Sequence, residues 1–320
     1  GQTARLLIRA RLFKAQGPPG RETPYSRRRP ILLGTMHTIR IACTGDYELT
    51  QIALPQLAVA RIRDDDAASF LHGQLSADIA GLNEGAATFA CYCSPRGQVF
   101  GLLLVGHVGD GFLVVADAGL LPGMLQRLQM FVLRARVVIE PASDLFVYGL
   151  QQGAEPGGPC RDFEPPGVGL RYRLGPARPA STEDGGQWKA QELGRNVVWL
   201  GAETSERFIP QMLGLDRIGA VSFDKGCYPG QEIIARARYL GKVKRKPLLL
   251  RVPVDLAPTA GAPLRCRDAA QWLDGTVVDS VAGATASEVD GRLLLVVAAV
   301  PEGAVQEVEY AGPSYRCATM

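Results

Sequence analysis

Phe223-Asp224-Lys225-Gly226-Cys227-Tyr228-Pro229-Gly230-Gln231-Glu232 is the stretch on which the reading of this chain turns. It sets one cysteine between two glycines, with a lysine two residues before it and the run Ile233 to Arg238 after it. Glycine lets the backbone bend where other residues clash. Proline suits the first position of a helix, because its φ fits and its missing N–H is not needed there. The pattern predicts a helix that opens at Pro229 and runs through Gln231 to Arg238. Cys227 would then sit near a positive helix end and near Lys225, and both favour thiolate over thiol. The plainer reading of a free cysteine is a small buried hydrophobe, but a glycine-flanked turn beside a lysine is not a core setting.

Working outward, the chain has 320 residues, 47% of them hydrophobic and 21% charged, which is enough for two or three domains with ample core. No apolar run reaches the roughly 18 residues that span a bilayer as a helix, so no membrane partner is expected. The net charge of +3 is uneven. Residues 1–35 hold eight Lys or Arg against Glu22 alone, +7, which leaves −4 for the remainder. The basic balance therefore belongs to the leader and does not indicate a nucleic-acid surface. An upstream extension and an organelle transit peptide are both open for these residues, and scarce Ser and Pro18-Pro19 favour the former. Seven cysteines, odd in number and scattered, argue against a secreted disulfide framework and for a reducing, cytoplasmic setting. Cys91-x-Cys93 and three histidines do not make zinc spacing, so no metal site is expected. No Walker loop, G-x-G-x-x-G after a strand, or G-x-S-x-G occurs, which leaves NTPases, dinucleotide oxidoreductases and serine hydrolases without support.

Periodicity divides the chain. Residues 1–48 read as a basic extension that does not fold. Residues 49–144 read as a first α/β lobe. Its strands run from Leu57, Ala87, Gln98, Phe112 and Ala135, its helices lie over Ala67–Gln74 and Leu120–Phe131, and Asp64 or Asp65 caps the first helix. Residues 145–246 read as a second lobe that carries the signature, with Gln151–Pro166 as an exposed loop. Residues 247–320 alternate in short strands separated by Gly, Pro and Asp, the pattern of a small β-barrel.

Lys225-Gly226-Cys227-Tyr228-Pro229-Gly230-Gln231-Glu232, preceded by Arg207-Phe208-Ile209-Pro210-Gln211-Met212, resembles the K-G-C-Y-x-G-Q-E signature of the YgfZ family. Phe70-Leu71-His72-Gly73-Gln74 with Asp78, the turn Cys93-Ser94-Pro95-Arg96-Gly97 and Leu128–Ile139 are similar too, so the likeness covers about residues 50–317. The resemblance implies an α+β, aminomethyltransferase-like folate-binding fold of α/β lobes around a central channel, plus the C-terminal barrel. It also implies tetrahydrofolate or a derivative as cofactor. The implied role is in assembly or repair of iron–sulfur proteins, with indirect support of tRNA modification. Cys227 and Lys225 would be the functional cysteine and lysine. Trp188 and Gln211 would line the folate channel, with Tyr228 beside them, and Arg238 would take a folate carboxylate from within the basic run Arg236–Lys246. The chain departs from the family at Leu57, which stands where a folate-facing tryptophan is common.

The expected partners are a reduced folate and iron–sulfur client or assembly proteins; direct nucleic-acid binding ranks last, since no aromatic-interleaved RNA motif accompanies the basic run. Aminomethyl transfer is the alternative function, and a tRNA-binding factor a third. Against transfer stands Gly97–Leu102, which lacks the carboxylate that would manage a proton on a folate nitrogen.

Overall fold

The computed structural model describes residues 51–109, 111–151, 160–176, 185–241, 243–282, 291–299 and 303–320. The basic extension therefore lies outside the described residues. In chain order come β1 (Gln51–Ala53), β2 (Leu57–Arg63), α1 (Ala67–Gln74), β3 (Ala87–Cys93), β4 (Val99–Val108), β5 (Gly111–Asp117), α2 (Leu121–Gln129) and β6 (Val138–Pro141). They are followed by β7 (Phe146–Leu150), β8 (Arg161–Phe163), β9 (Arg171–Gly175), α3 (Gly185–Gly194), α4 (Pro210–Leu213) and α5 (Gln231–Tyr239). The last elements are β10 (Arg245–Pro253), β11 (Pro263–Arg267), β12 (Trp272–Ala282), β13 (Gly291–Ala299), β14 (Glu307–Glu309), β15 (Ser314–Arg316) and β16 (Ala318–Thr319).

The strands form three antiparallel sheets. The first has the order β3-β4-β5-β2-β6, the second β1-β7-β9-β8 and the third β15-β14-β11-β12-β13-β10-β16. The first sheet is apolar on both faces, so its side-chain alternation sorts residues between two cores rather than between core and water. On β4, Leu103 and Val105 join Phe70, Leu71, Met124 and Leu125 of the helices α1 and α2. Leu102 and Leu104 instead join a central core with Tyr172, Trp188, Phe208 and Tyr228. A one-residue slip would exchange the two sets, which pins the register.

The third sheet follows the same logic. On β13, Leu294, Val296 and Ala298 fill its interior, while Leu293, Leu295 and Val297 dock against the central core. That is why the Leu293–Val297 run is apolar without alternation. β15 and β16 stand at opposite ends of the strand order, yet only Cys317 separates them in sequence. The sheet must curl until its edges meet, which gives the expected barrel.

Three local expectations are corrected. β1 belongs to the second sheet, where it pairs with β7, so the chain enters there before building the first. β8 forms within the segment expected as a loop, pairing with β9 through Phe163↔Tyr172. The side chains of Asp64 and Asp65 do not cap α1; the N-cap is Asp66, whose carboxylate accepts the Arg136 backbone N–H at 2.7 Å instead of binding its own helix. Among the described residues, no helix is long and apolar enough to cross a membrane.

Candidate functional site

The signature segment is built from anchors. Lys225 is half-buried, and its ammonium donates to the backbone oxygens of His72, Leu75 (2.6 Å) and Ala77 (3.0 Å). These carbonyls lie at and just beyond the C-terminal end of α1, where helix carbonyls lack partners and the dipole favours a cation. An ammonium has three N–H groups, and all three are used. Burial lowers the Lys225 pKa to about 8, with Asp78 opposing. Tyr228 goes the other way from the chain's surface: its ring is buried in the central core, and burial, with Cys93 and Cys91 adding, pushes its phenol pKa up.

Gly230 is left-handed (φ 83°), and a Cβ there would lie 2.5 Å from the Ser94 carbonyl oxygen and 2.6 Å from Gly97 Cα. The signature thus touches the β3–β4 turn backbone to backbone, a contact only glycine permits. The Gln231 side chain returns to the Lys225 and Gly226 carbonyls at 3.4 and 3.5 Å. Gln211 is buried on α4 and donates to the Ile234 carbonyl at 2.7 Å, which braces α5. Cys227, between these anchors, is exposed.

Two expectations about this thiol change. The helix opens at Gln231, with left-handed Gly230 as N-cap, not at Pro229. Lys225 has no N–H left for the sulfur, so it holds the loop rather than the thiol.

A cavity of about 1160 Å³ lies elsewhere among the described residues. Its wall is made by the β1–β2 connection (Leu54–Leu57), the start of α2, the β6–β7 connection, Lys189 and Glu192 of α3, Trp199, and Asp279 of β12. Glu192 is the principal polar group. Its Oε1 accepts the Tyr172 hydroxyl and the Trp199 indole N–H, both at 2.8 Å. Both of these hydrogen bonds fall on Oε1, and the Trp188 indole also bears on the carboxylate without meeting hydrogen-bond geometry. Burial raises the Glu192 pKa to about 7, opposed mainly by the Trp199 and Tyr172 hydrogen bonds. Lys189 pairs with Asp279 at 2.5 Å, and burial raises the Asp279 pKa despite that pair. Asp279 sits where the β12–β13 register shifts, and a bulge of this kind re-aims a side chain.

The four residues expected to bind folate do not line this cavity. Trp188 is fully buried against Gly149, where a Cβ would lie 2.4 Å from the indole ring, and it meets Tyr172 edge-on at 5.6 Å. Gln211 and Tyr228 face the core beneath the signature. Arg238 lies on the exposed side of α5, with its guanidinium 4.1 Å over the Phe223 ring. Nor does any signature residue reach the cavity wall, so the thiol is not at its mouth. Sequence reasoning missed Glu192, Trp199, Lys189 and Asp279. One signal was present: Glu192 is four residues after Trp188, on the same helical stripe, and an acid on a buried stripe calls for explanation.

No family model matches the chain. It is 28% identical over 291 residues to the tRNA-modifying protein YgfZ of Escherichia coli O127:H6, covering 81% of this chain and 86% of that protein. Over 307 residues it is 27% identical to the YgfZ of Escherichia coli O6:H1, covering 86% and 89%. The Yersinia pestis (strain Pestoides F) YgfZ is 26% identical, with 81% and 85% covered. The solved glycine cleavage system aminomethyltransferase T of Bartonella henselae superposes with a TM-score of 0.59 over 85% of this chain and 84% of that one; at 16% identity the likeness is one of fold. The chain is similar in sequence to the YgfZ proteins and has the α+β fold of the aminomethyltransferase.

Proposed function

We propose that this chain is a folate-binding accessory protein, acting in the cytoplasm through the thiol of Cys227 in the assembly or repair of iron–sulfur proteins, and so supporting tRNA modification indirectly. One observation carries the reading. Lys225, Tyr228, Gly230 and Gln231 each have an inward, structural task, while Cys227 is left exposed. A loop this heavily braced around a free thiol suits a group that must meet a partner protein or a reactive species. The relatives' name, tRNA-modifying protein, agrees with the outcome of such a role.

The cavity fits a reduced folate. Its volume exceeds the roughly 300–1,000 Å³ of ordinary ligand pockets. Glu192 Oε2 would take the N–H donors on one edge of a pterin, while Oε1 is held by Tyr172 and Trp199. Trp199 offers an aromatic wall, and Lys189 a cation already balanced by Asp279. When bound, the folate would supply nitrogen atoms able to carry a one-carbon unit. Glu192, near half-protonated at neutral pH, would orient that ligand and exclude water from its edge.

The test has two arms. Cys227→Ser should fail to complement a strain deficient in cluster assembly while the purified protein melts as before; full complementation overturns the role of the thiol. Titration calorimetry with tetrahydrofolate should show at least about a tenfold weaker affinity for Glu192→Gln, a loss of roughly 1.4 kcal/mol. Equal affinity removes the cavity assignment.

Aminomethyl transfer stays as a second reading because of one observation: Asp117 and Asp279 put carboxylates on the cavity wall that β4 lacks. Incubation with tetrahydrofolate and an aminomethyl donor decides it; absence of a folate adduct ends that reading.

A further inference from the structure

Phe100 is on the opposite face of β4 from the one its place in the sequence predicts. Leu102 and Leu104 join the central core, while Leu103 and Val105 join the helices α1 and α2. Strict alternation would put Phe100 with Leu102 and Val99 with Leu103. Instead Phe100 packs on the helix side and Val99 in the central core. The pairing with β3 gives the cause: Tyr92 opposes Gly101 and Cys93 opposes Val99, so Phe100 is the extra residue of a bulge. A bulge re-aims a side chain, and bulges recur beside functional sites. Here the re-aimed ring makes one wall of a second cavity, of about 340 Å³, between the β3–β4 pair and α2. Gly101 makes room for Met124, whose methyl group a Cβ at 101 would overlap. Gly123 on α2 leaves the rim open, since a Cβ there would meet no atom within 4 Å. α2 also lines the large cavity through Leu121, Pro122 and Leu125, but the two cavities share no lining residue.

The wall is mostly apolar, with the rings of Tyr92 and Phe100 tilted against each other at 5.4 Å and Met124 and Met130 beside them. It also carries two donors that lack an acceptor. Tyr92 is 1% exposed, and its hydroxyl has no hydrogen-bond partner among the described residues. Burial pushes its pKa up to about 12, with Arg127 opposing, so the phenol keeps its proton. The Arg127 guanidinium lies 3.9 Å over the Phe100 ring and pairs with no carboxylate among the described residues. Stacking occupies the face of a guanidinium and leaves the N–H groups in its plane for an anion. A buried donor without an acceptor is costly, so an oxygen shared by Tyr92 and Arg127 would gain what the protein alone forgoes. We propose that this cavity is a second binding site, for a small aromatic carboxylate whose ring lies along Phe100 and Met130 and whose carboxylate accepts from Tyr92 and Arg127. The volume is at the low end of ligand pockets, which fits one or two fused rings rather than a larger ligand. Methionine sulfur beside a ring is itself a favourable contact. The site is separate from the folate reading and does not depend on it.

Titration of the full chain with 2-naphthoate, and with the uncharged 2-naphthamide as its counterpart, tests this by calorimetry. The naphthoate should bind, and the naphthamide should bind at least about tenfold more weakly, because it brings no charge to Arg127. Arg127→Gln should weaken the naphthoate by about tenfold and leave the naphthamide unchanged. Tyr92→Phe should weaken the naphthoate about fivefold without lowering the melting temperature, since the hydroxyl it removes has no partner in the free protein. Gly123→Leu, which extends a side chain from the open rim, should weaken both probes. Glu192→Gln alters the large cavity alone and should leave naphthoate affinity as it was. Failure of the naphthoate to bind overturns the proposal. So does equal affinity for the two probes, or naphthoate binding that is indifferent to Arg127→Gln and Tyr92→Phe. A loss in Glu192→Gln would put the probe in the large cavity and overturn it too, whereas failure of tetrahydrofolate to bind there would leave this site standing.

Discussion

Around Cys227 the neighbouring side chains turn inward and the thiol turns out; around Glu192 the ionisable group itself turns inward, and its neighbours hold it there. The first arrangement costs little electrostatically, because the group with chemistry remains in water. The second takes a carboxyl group out of water, and hydrogen bonds from Tyr172 and Trp199 offset only part of that. The difference teaches where stability and chemistry are coupled. At the signature they are separable, since Cys227 can change while Tyr228 and Lys225 keep the loop. At the cavity they are the same residue.

The largest effect should come from Tyr228→Ala. Removing a ring buried in the central core should cost about 3–5 kcal/mol in denaturant unfolding, while Cys227→Ser at the adjacent position stays within about 0.5 kcal/mol. Two variants that cost the same would mean that the signature is not divided into anchor and presented group.

The cavity should show itself in the pH dependence of stability. The Glu192 pKa is raised from 4.5 to about 7, so between those values the native state binds more protons than the unfolded chain. Its contribution is fully present below pH 4.5 and is lost as pH rises through about 7, on the order of 3 kcal/mol in all. Glu192→Gln keeps an acceptor for Tyr172 and Trp199 and should flatten that limb. A native profile already flat over this interval would show the carboxyl group to be solvated.

Lys225 has the opposite sign and a smaller size. Its pKa is lowered from 10.5 to about 8, so the unfolded state binds more protons in that interval and stability should rise with pH there. The group is half-buried, and solvent screening keeps the effect small. Lys225→Met removes the three hydrogen bonds and should cost about 1–2 kcal/mol near neutrality. No loss would mean that water replaces the ammonium at the end of α1.

The parts of this molecule legible in the sequence were those fixed by neighbours along the chain. The alternation of β2, the apolar runs of β3 to β5, the turn Ser94–Gly97 and the helical spacing of α2 are local patterns, and they correspond to formed elements. The signature led to the right fold through its resemblance. β11, β15, β16 and α4 were not read, because two to five residues carry too little of any period. The start of α5 was misplaced because Pro229 is a local signal, whereas the left-handed turn at Gly230 answers to Ser94 and Gly97, far away in sequence. The site was hardest for the same reason. Nothing near Lys225 announces that its partners are 148 to 153 residues upstream. Nor does anything near Trp188 and Trp199 tell which faces the cavity, since that depends on the missing side chain of Gly149.

The smallest effect asked of the comparison is the sharpest test of how dry the anchor is. The Tyr228 hydroxyl is buried without a hydrogen-bond partner among the described residues. A buried, unmatched hydroxyl has given up its water and gained nothing in exchange, a cost of about 1–3 kcal/mol in comparable settings. Tyr228→Phe keeps the ring in the core and removes that cost, so unfolding should show no loss and a gain of up to about 1 kcal/mol. A loss greater than about 1 kcal/mol would mean that the hydroxyl is hydrogen-bonded through an internal water. The anchor side of the segment would then be wet, and the contrast with the enclosed carboxyl group of Glu192 would be one of degree.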